Sequence, residues 1–171
     1  MRRRVRYLLA IVAVILTTVL SPPAYAVAAT GVRIADVSFV GSGGVVLQGS
    51  VVGPAAAGHH PAMVMLSGAG SGGRTELLPE AEAFARHGIV TLVYDKRTVG
   101  YSFFHRDYSV LADDALAGLR LLRTRADVDP ARVGLWALSE GAFVAPLAAD
   151  RSTDVKFLIT VGAVGVTPAE Q

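Results

Sequence analysis

Ser139 stands where an apolar run ends and a helix-forming run begins. Val133-Gly134-Leu135-Trp136-Ala137-Leu138 precedes it, and Glu140-Gly141-Ala142-Phe143 follows. The first run reads as a buried strand, the serine as a turn and the second run as the start of a helix. A serine on so sharp a strand-to-helix turn has its hydroxyl pushed clear of the sheet, where a base can take its proton. The next backbone N–H, that of Glu140, points toward any oxyanion formed on an attacked carbonyl. The chemistry on offer is acyl transfer through serine. Two plainer readings compete: Ser139 as an ordinary helix cap, and Glu140 as a solvated first-turn acid favoured by the helix dipole, its carboxylate taking no part.

The residues that must position Ser139 alternate in type along the chain. Val32–Val40 and Val45–Val52 are β-rich and separated by Gly41-Ser42-Gly43-Gly44, which reads as a hairpin. Ala62–Leu66 is a short apolar strand, followed by the glycine-rich turn Ser67 to Gly73. Pro79 fits the first turn of a helix running to about His87, with Gly88 as its stop. Ile89–Tyr94 reads as a buried strand, and a polar loop follows from Asp95.

Ser109 to Arg125 is the clearest helix, with Leu111, Ala115, Leu119 and Leu122 on one face. Asp113 and Asp114 near its start, and Arg120, Arg123 and Arg125 near its end, suit the dipole. Asp129-Pro130 reads as a break. Val133–Leu138 is then a strand, Glu140–Ala149 a helix and Val155–Val161 a strand.

Such alternation predicts an α/β fold: a mostly parallel sheet with an N-terminal antiparallel hairpin and helices on both faces. Ligands on such sheets sit beyond the carboxyl ends of the strands. Ser67–Gly73, Asp95–Tyr101 and Ser139 all fall at such ends, so three loops are expected to converge on one rim. No internal repeat and no second domain is visible.

Composition sets further bounds. The 171 residues contain no cysteine, which excludes disulfides, thiol chemistry and cysteine-ligated zinc. The four histidines (His59, His60, His87, His105) are not paired at helical spacing, so no metal site is expected. Arg2, Arg3, Arg4 and Arg6 precede the apolar run Tyr7 to Leu20, and Ala24-Tyr25-Ala26 gives an A-x-A site. Residues 1–26 therefore read as a signal peptide of a secreted or extracytoplasmic protein. The run is short for a membrane span, which needs about 20 residues; left uncleaved, it would instead anchor the chain. Without the leader, twelve basic residues face fourteen acidic ones, and nothing points to nucleic acid.

Three segments together resemble the α/β-hydrolase superfamily, in particular its secreted serine esterase and peptidase-like members. They are Ala62-Met63-Val64-Met65-Leu66-Ser67-Gly68-Ala69-Gly70, Tyr94-Asp95-Lys96-Arg97-Thr98-Val99-Gly100-Tyr101-Ser102 and Gly134-Leu135-Trp136-Ala137-Leu138-Ser139-Glu140-Gly141. Each is weak alone; their order, spacing and strand contexts make the resemblance. It implies an incomplete α/β-hydrolase fold over residues 30–171. It also implies Ser139 as nucleophile, the N–H groups of Ala69 and Glu140 as oxyanion donors (Gly70 next in line), and Gly141 as the residue that lets the helix pack closely. Asp95, Arg97, Gly100 and Ser102 match a loop that shapes and braces the site, though a solvated polar loop is equally open. The implied substrate is a small-molecule ester or a peptide, and no cofactor is required.

Two departures stand out: Ala137 replaces the usual first glycine of the motif, and Ser67 replaces the histidine that usually opens the oxyanion loop. The second leaves open how that loop is anchored. A flexible surface turn is the plain reading of its glycines.

The resemblance also implies partners that the sequence lacks. The triad of this family runs nucleophile, acid, histidine along the chain. The thirty-two residues after Ser139 contain no histidine, and Asp150 and Asp154 fall at a helix end and a strand start rather than at the acid position. Thr167-Pro168-Ala169-Glu170 reads as a capping box opening a further helix. The expectation is the N-terminal part of a longer serine hydrolase, truncated and inactive or nearly so as it stands. His105 lies at the rim, but a base must be held by an orienting partner, so it reads as an exposed loop histidine.

Two other functions remain as alternatives. One is a non-catalytic hydrolase-like fragment. The other is a dinucleotide-binding oxidoreductase, since Gly68-Ala69-Gly70-Ser71-Gly72-Gly73 satisfies G-x-G-x-x-G and Asp95 ends the next strand. Against the latter, Pro79 places the helix several residues beyond the glycines, and a hairpin precedes the first strand.

Overall fold

The computed structural model describes residues 31–70 and 73–163. The leader expected over residues 1–26 and the capping box at Thr167 lie outside the described residues. Strands β1 (Val32–Val40), β2 (Val46–Pro54), β3 (His60–Leu66), β4 (Val90–Tyr94), β5 (Val128–Leu138) and β6 (Leu158–Val161) form one sheet in the order β1-β2-β4-β3-β5-β6. β1 and β2 pair antiparallel, as do β2 and β4; β4, β3, β5 and β6 run parallel. The expected hairpin is therefore at one edge and the parallel strands carry the rest.

Three helices cover the sheet: α1 (Leu78–Arg86), α2 (Tyr108–Arg123) and α3 (Gly141–Arg151). The pleat sorts each strand between them. In β3, Ala62, Val64 and Leu66 join the core under α2 and α3, while Met63 and Met65 face the other way, toward Leu77, Ala81 and Ala85 at α1. β5 repeats the pattern, with Val133, Leu135 and Ala137 on the α2–α3 side and Trp136 on the α1 side, edge-on to Phe84. Ala62–Leu66 and Val133–Leu138 are thus buried on both faces, which is why they read as near-continuous apolar runs. Among the described residues no helix is long and apolar enough to cross a membrane.

Three expectations are corrected. Asp129-Pro130 does not separate helix from strand; it lies inside β5, which begins at Val128. A register shift against β3 falls here, between His60 and Ala62, where Pro61 faces it, as expected where prolines cannot donate to a ladder. The last strand is shorter than Val155–Val161 and starts at Leu158. Finally, Asp114, expected to suit the helix dipole, is instead fully buried in α2. The cap of α2 is Asp107, whose carboxylate accepts from the N–H groups of Ser109 and Val110 at 3.0 and 3.2 Å.

Candidate active site

β3, β4 and β5 run parallel and end at Leu66, Tyr94 and Leu138, so the segments after them emerge on one rim. Ser139 follows β5 directly. It is exposed, with φ +50°, the only non-glycine residue at positive φ among the described residues. L-residues enter this region only when their surroundings hold them there. Two bonds hold Ser139: its N–H donates to Val161 O at 2.9 Å, and its carbonyl accepts from Ala142 N at 2.9 Å. Glu140 already has helical angles (φ −53°, ψ −38°), and α3 starts at Gly141. The chain thus turns from strand to helix within two residues.

That turn needs Gly141. A Cβ there would sit 2.8 Å from Leu66 O and 2.9 Å from Leu66 Cβ, so only glycine lets α3 approach the end of β3. Ala137, the departure from the usual glycine, is fully buried in the sheet opposite Leu66 and Thr160. The Gly68 turn passes beside the serine: a Cβ on Gly68 would stand 3.6 Å from Ser139 Cβ. Neither Ala69 N–H nor Glu140 N–H donates to a backbone carbonyl among the described residues. Ser71 and Gly72, the middle of the glycine cluster, lie outside the described residues. α1 begins at Leu78 after a 3-10 turn over Arg74–Leu77, so among the described residues no α-helix starts on these glycines as a dinucleotide fingerprint requires.

The Glu140 carboxylate is not the solvated acid of the plainer reading. Its side chain is 2% exposed. Oε1 accepts from Lys96 Nζ and from Tyr101 OH, each at 2.7 Å. Arg106 Nε lies 3.3 Å from Oε2 without hydrogen-bonding geometry, leaving that oxygen unbonded among the described residues. Burial, then the hydrogen bond to Glu140 and its charge, push the Tyr101 phenol up to about 12. Burial pushes Tyr94 higher still. A narrow cleft of about 10 Å³ lies here between Ser67, Lys96, Leu111, Glu140 and Val144.

The loop after β4 divides: Asp95, Lys96 and Arg97 make specific bonds, whereas residues 98–100 and 102–107 are exposed. Asp95 Oδ1 accepts from Arg74 N at 2.7 Å, fastening the segment that enters α1. Lys96 fastens the rim. Arg97, 6% exposed, forms a two-pronged pair with Asp114 at 2.7 Å per bond and donates to Ser42 O at 2.7 Å. Three consecutive charged residues thus fix three different parts of the fold. Further along, Ser102 Oγ accepts from His105 N at 3.0 Å, and the His105 side chain is exposed.

Comparison with known proteins agrees with this geometry. No family model matches the chain. The thiohydrolase apmlB of Arthrinium phaeospermum is 34% identical over 122 residues, which is 69% of this chain and 39% of that protein. Among solved structures, the α/β hydrolase GrgF from Penicillium sp. sh18 superposes with a TM-score of 0.65 at 26% identity, covering 75% of this chain and 45% of that one. The thermophilic carboxylesterase EstE1 from a metagenomic library gives 0.62 at 26% identity, covering 75% and 46%. The chain belongs to the α/β-hydrolase superfamily. It spans less than half the length of these relatives.

In this chain the histidines hold other positions. His60 opens β3 at the far end of the sheet, and the carbonyl of His59 accepts from Arg132 there at 3.0 Å. His87 ends α1, its Nδ1 2.8 Å from Ala83 O. No hydrogen bond among the described residues joins a histidine to Ser139.

Sequence reasoning placed Ser139, Ala69 and Glu140 on one rim. It missed Lys96, Tyr101 and Asp114 as organisers. The available signals were a charged run starting right after a buried strand, and an acid three residues after Leu111 on the apolar stripe of α2.

The raised phenols have a consequence at alkaline pH. A tyrosine whose folded pKa lies above its unfolded value of about 10 contributes stability that is complete below pH 10 and is lost as pH rises toward the folded value. Tyr101 and Tyr94 are expected to stay un-ionised in the native protein at and somewhat above pH 10. Their phenolate absorbance should appear near pH 10 only after denaturant is added. Full native titration of both near pH 10 would contradict the buried network.

Proposed function

We propose that this chain carries the nucleophile and the oxyanion donors of a serine hydrolase acting on ester or amide bonds of small molecules or peptides. The observation that carries the reading is Ser139 itself, an exposed serine at φ +50° between β5 and α3, beside the Gly68 turn. An elbow of that shape presents Oγ to a carbonyl while the following N–H faces the developing negative charge.

In the proposed reaction Ser139 Oγ attacks the acyl carbon and gives up its proton to a base. The N–H groups of Ala69 and Glu140 hold the oxyanion, the alcohol or amine departs protonated, and water then releases the acyl group from the serine. Residues 1–171 contain no histidine after Ser139, so the usual base and its acid partner have to come from elsewhere for full turnover. The chain alone is therefore expected to be nearly inactive. That same gap favours the second reading, a hydrolase-like fold that performs no chemistry.

One assay separates them. Imidazole added to p-nitrophenyl acetate and the chain can take the serine proton in place of the missing side chain. A positioned base contributes about 100- to 10,000-fold, so a diffusing one is expected to raise the Ser139-dependent rate by about tenfold. Ser139→Ala should remove that increment and leave only the background of imidazole itself. Identical rates for the parent and Ser139→Ala at every imidazole concentration would establish the non-catalytic reading. Fast Ser139-dependent turnover without imidazole would show that a base is already in place.

A further inference from the structure

We infer that Lys96 is a positioning residue that sets the spacing of the two candidate oxyanion donors. Its ammonium ties the Gly68–Gly70 turn to the Ser139 elbow. The inference rests on the oxyanion reading above and adds the device that holds it together.

An ammonium has three N–H donors and no acceptor. Lys96 Nζ finds three oxygens, one on each of the three segments that meet at the rim. Gly68 O lies at 2.6 Å, on the turn that carries Ala69. Glu140 Oε1 lies at 2.7 Å, on the residue that supplies the other donor. Tyr101 OH lies at 3.2 Å, and that hydroxyl donates onward to the same Oε1 at 2.7 Å. The Lys96 side chain is 9% exposed and that of Glu140 2%, so the pair is screened little by water. The result is a closed triangle of ammonium, carboxylate and phenol, with a fourth contact to a backbone carbonyl one residue before Ala69.

This answers the question raised by Ser67, which stands where the related loops carry histidine. The loop is anchored from the other side, through the Gly68 carbonyl. It also separates Lys96 from the role of general base: with all three protons directed at acceptors, it is not a free amine beside Ser139. Holding two donors at a fixed spacing lets them act on a developing oxyanion without reorganising during the reaction.

The test uses the full chain with Lys96→Met, Lys96→Arg and the double variant Lys96→Met/Glu140→Gln. The last removes the unpaired buried carboxylate, so that the tie to Gly68 O can be cut without leaving a lone charge. Circular dichroism verifies folding. Amide order parameters report the clamp whether or not the chain turns over substrate. In the parent, Gly68, Ala69 and Glu140 are expected near the rigid value of about 0.85; in both Lys96→Met forms those of Gly68 and Ala69 should fall toward about 0.6. Lys96→Arg, which keeps a charged donor, should recover part of the loss.

In the imidazole assay, both Lys96→Met forms are expected to lower Ser139-dependent kcat about tenfold, with KM for p-nitrophenyl acetate unchanged, since misplacing a reacting group by about 1 Å can cost about 100-fold. Folded Lys96→Met forms with parental order parameters would overturn the clamp. So would parental kcat in those forms. If the order parameters fall but the parent shows no Ser139-dependent rate, the clamp stands and the hydrolase reading fails.

Discussion

Asp114→Ala is expected to cost about 3–5 kcal/mol of folding stability, the range found when one partner of a buried ion pair is removed. Asp114 is fully buried, and its partner Arg97 is 6% exposed. Oδ2 accepts from Arg97 Nε, while Oδ1 accepts from Arg97 Nη2 and from Ser42 N at 2.8 Å. The hairpin turn lies so close that a Cβ on Gly41 would overlap Oδ1. Alanine would therefore leave a buried guanidinium without its counter-charge and a half-buried backbone N–H without its acceptor.

Whole domains are stable by about 5–15 kcal/mol, so a loss of this size should lower the urea midpoint sharply or prevent folding. The neighbour supplies the control. Asp113 pairs with Arg151 at 2.8 Å, but the two side chains are 47% and 34% exposed. Asp113→Ala should cost no more than about 1 kcal/mol. Replacing both partners, as Arg97→Met/Asp114→Leu, should recover most of the loss, because two apolar groups leave no orphaned charge. Equal urea midpoints for Asp113→Ala and Asp114→Ala would show that the buried pair contributes nothing special.

The contrast between Asp113 and Asp114 also shows what the sequence could and could not convey. Strands were legible because both faces of the sheet's centre are covered, so Ala62–Leu66, Val90–Tyr94 and Val133–Leu138 are near-continuous apolar runs. The elbow was legible because a serine between such a run and Gly141 has few other uses. Charges were harder. Asp114, Lys96, Arg97 and Glu140 each sit where a solvated residue would look the same in sequence: in a helix's second turn, after a strand, or in a helix's first turn.

What buries these charges is contact between segments far apart in the chain. Lys96 and Glu140 are 44 residues apart, and Ser42 and Asp114 are 72 apart. Local pattern does not encode that. Proline at 130 misled for a related reason: it does bar a regular ladder, but β5 accommodates it by shifting register rather than by ending.

The second large effect is expected at Gly134, five residues before the serine. Phe157 lies across it: a Cβ there would overlap the Phe157 carbonyl oxygen and come within 2.6 Å of two ring carbons. The ring could turn aside, but the carbonyl is fixed by Leu135 N–H at 3.0 Å, and the preceding residue donates from Lys156 N to Val133 O at 2.8 Å. Gly134→Ala must therefore push the whole segment leading into β6 away from β5.

Overpacking of this kind typically costs about 1–3 kcal/mol. The upper half of that range is expected here, because the obstacle is backbone. The displacement should also reach the candidate site, since β6 ends at Val161, whose carbonyl receives the Ser139 N–H. Lowered thermal stability should then be accompanied by faster hydrogen exchange at the Ser139 amide. Gly31→Ala, where a new Cβ meets only Ala55 Cβ at 3.4 Å, should change stability by less than about 0.5 kcal/mol. Unchanged stability and unchanged Ser139 exchange in Gly134→Ala would mean that β6 is not what holds the serine in its left-handed conformation. The strain would then have to be borne by the Ala142 bond and the packing of Gly141 on Leu66 alone.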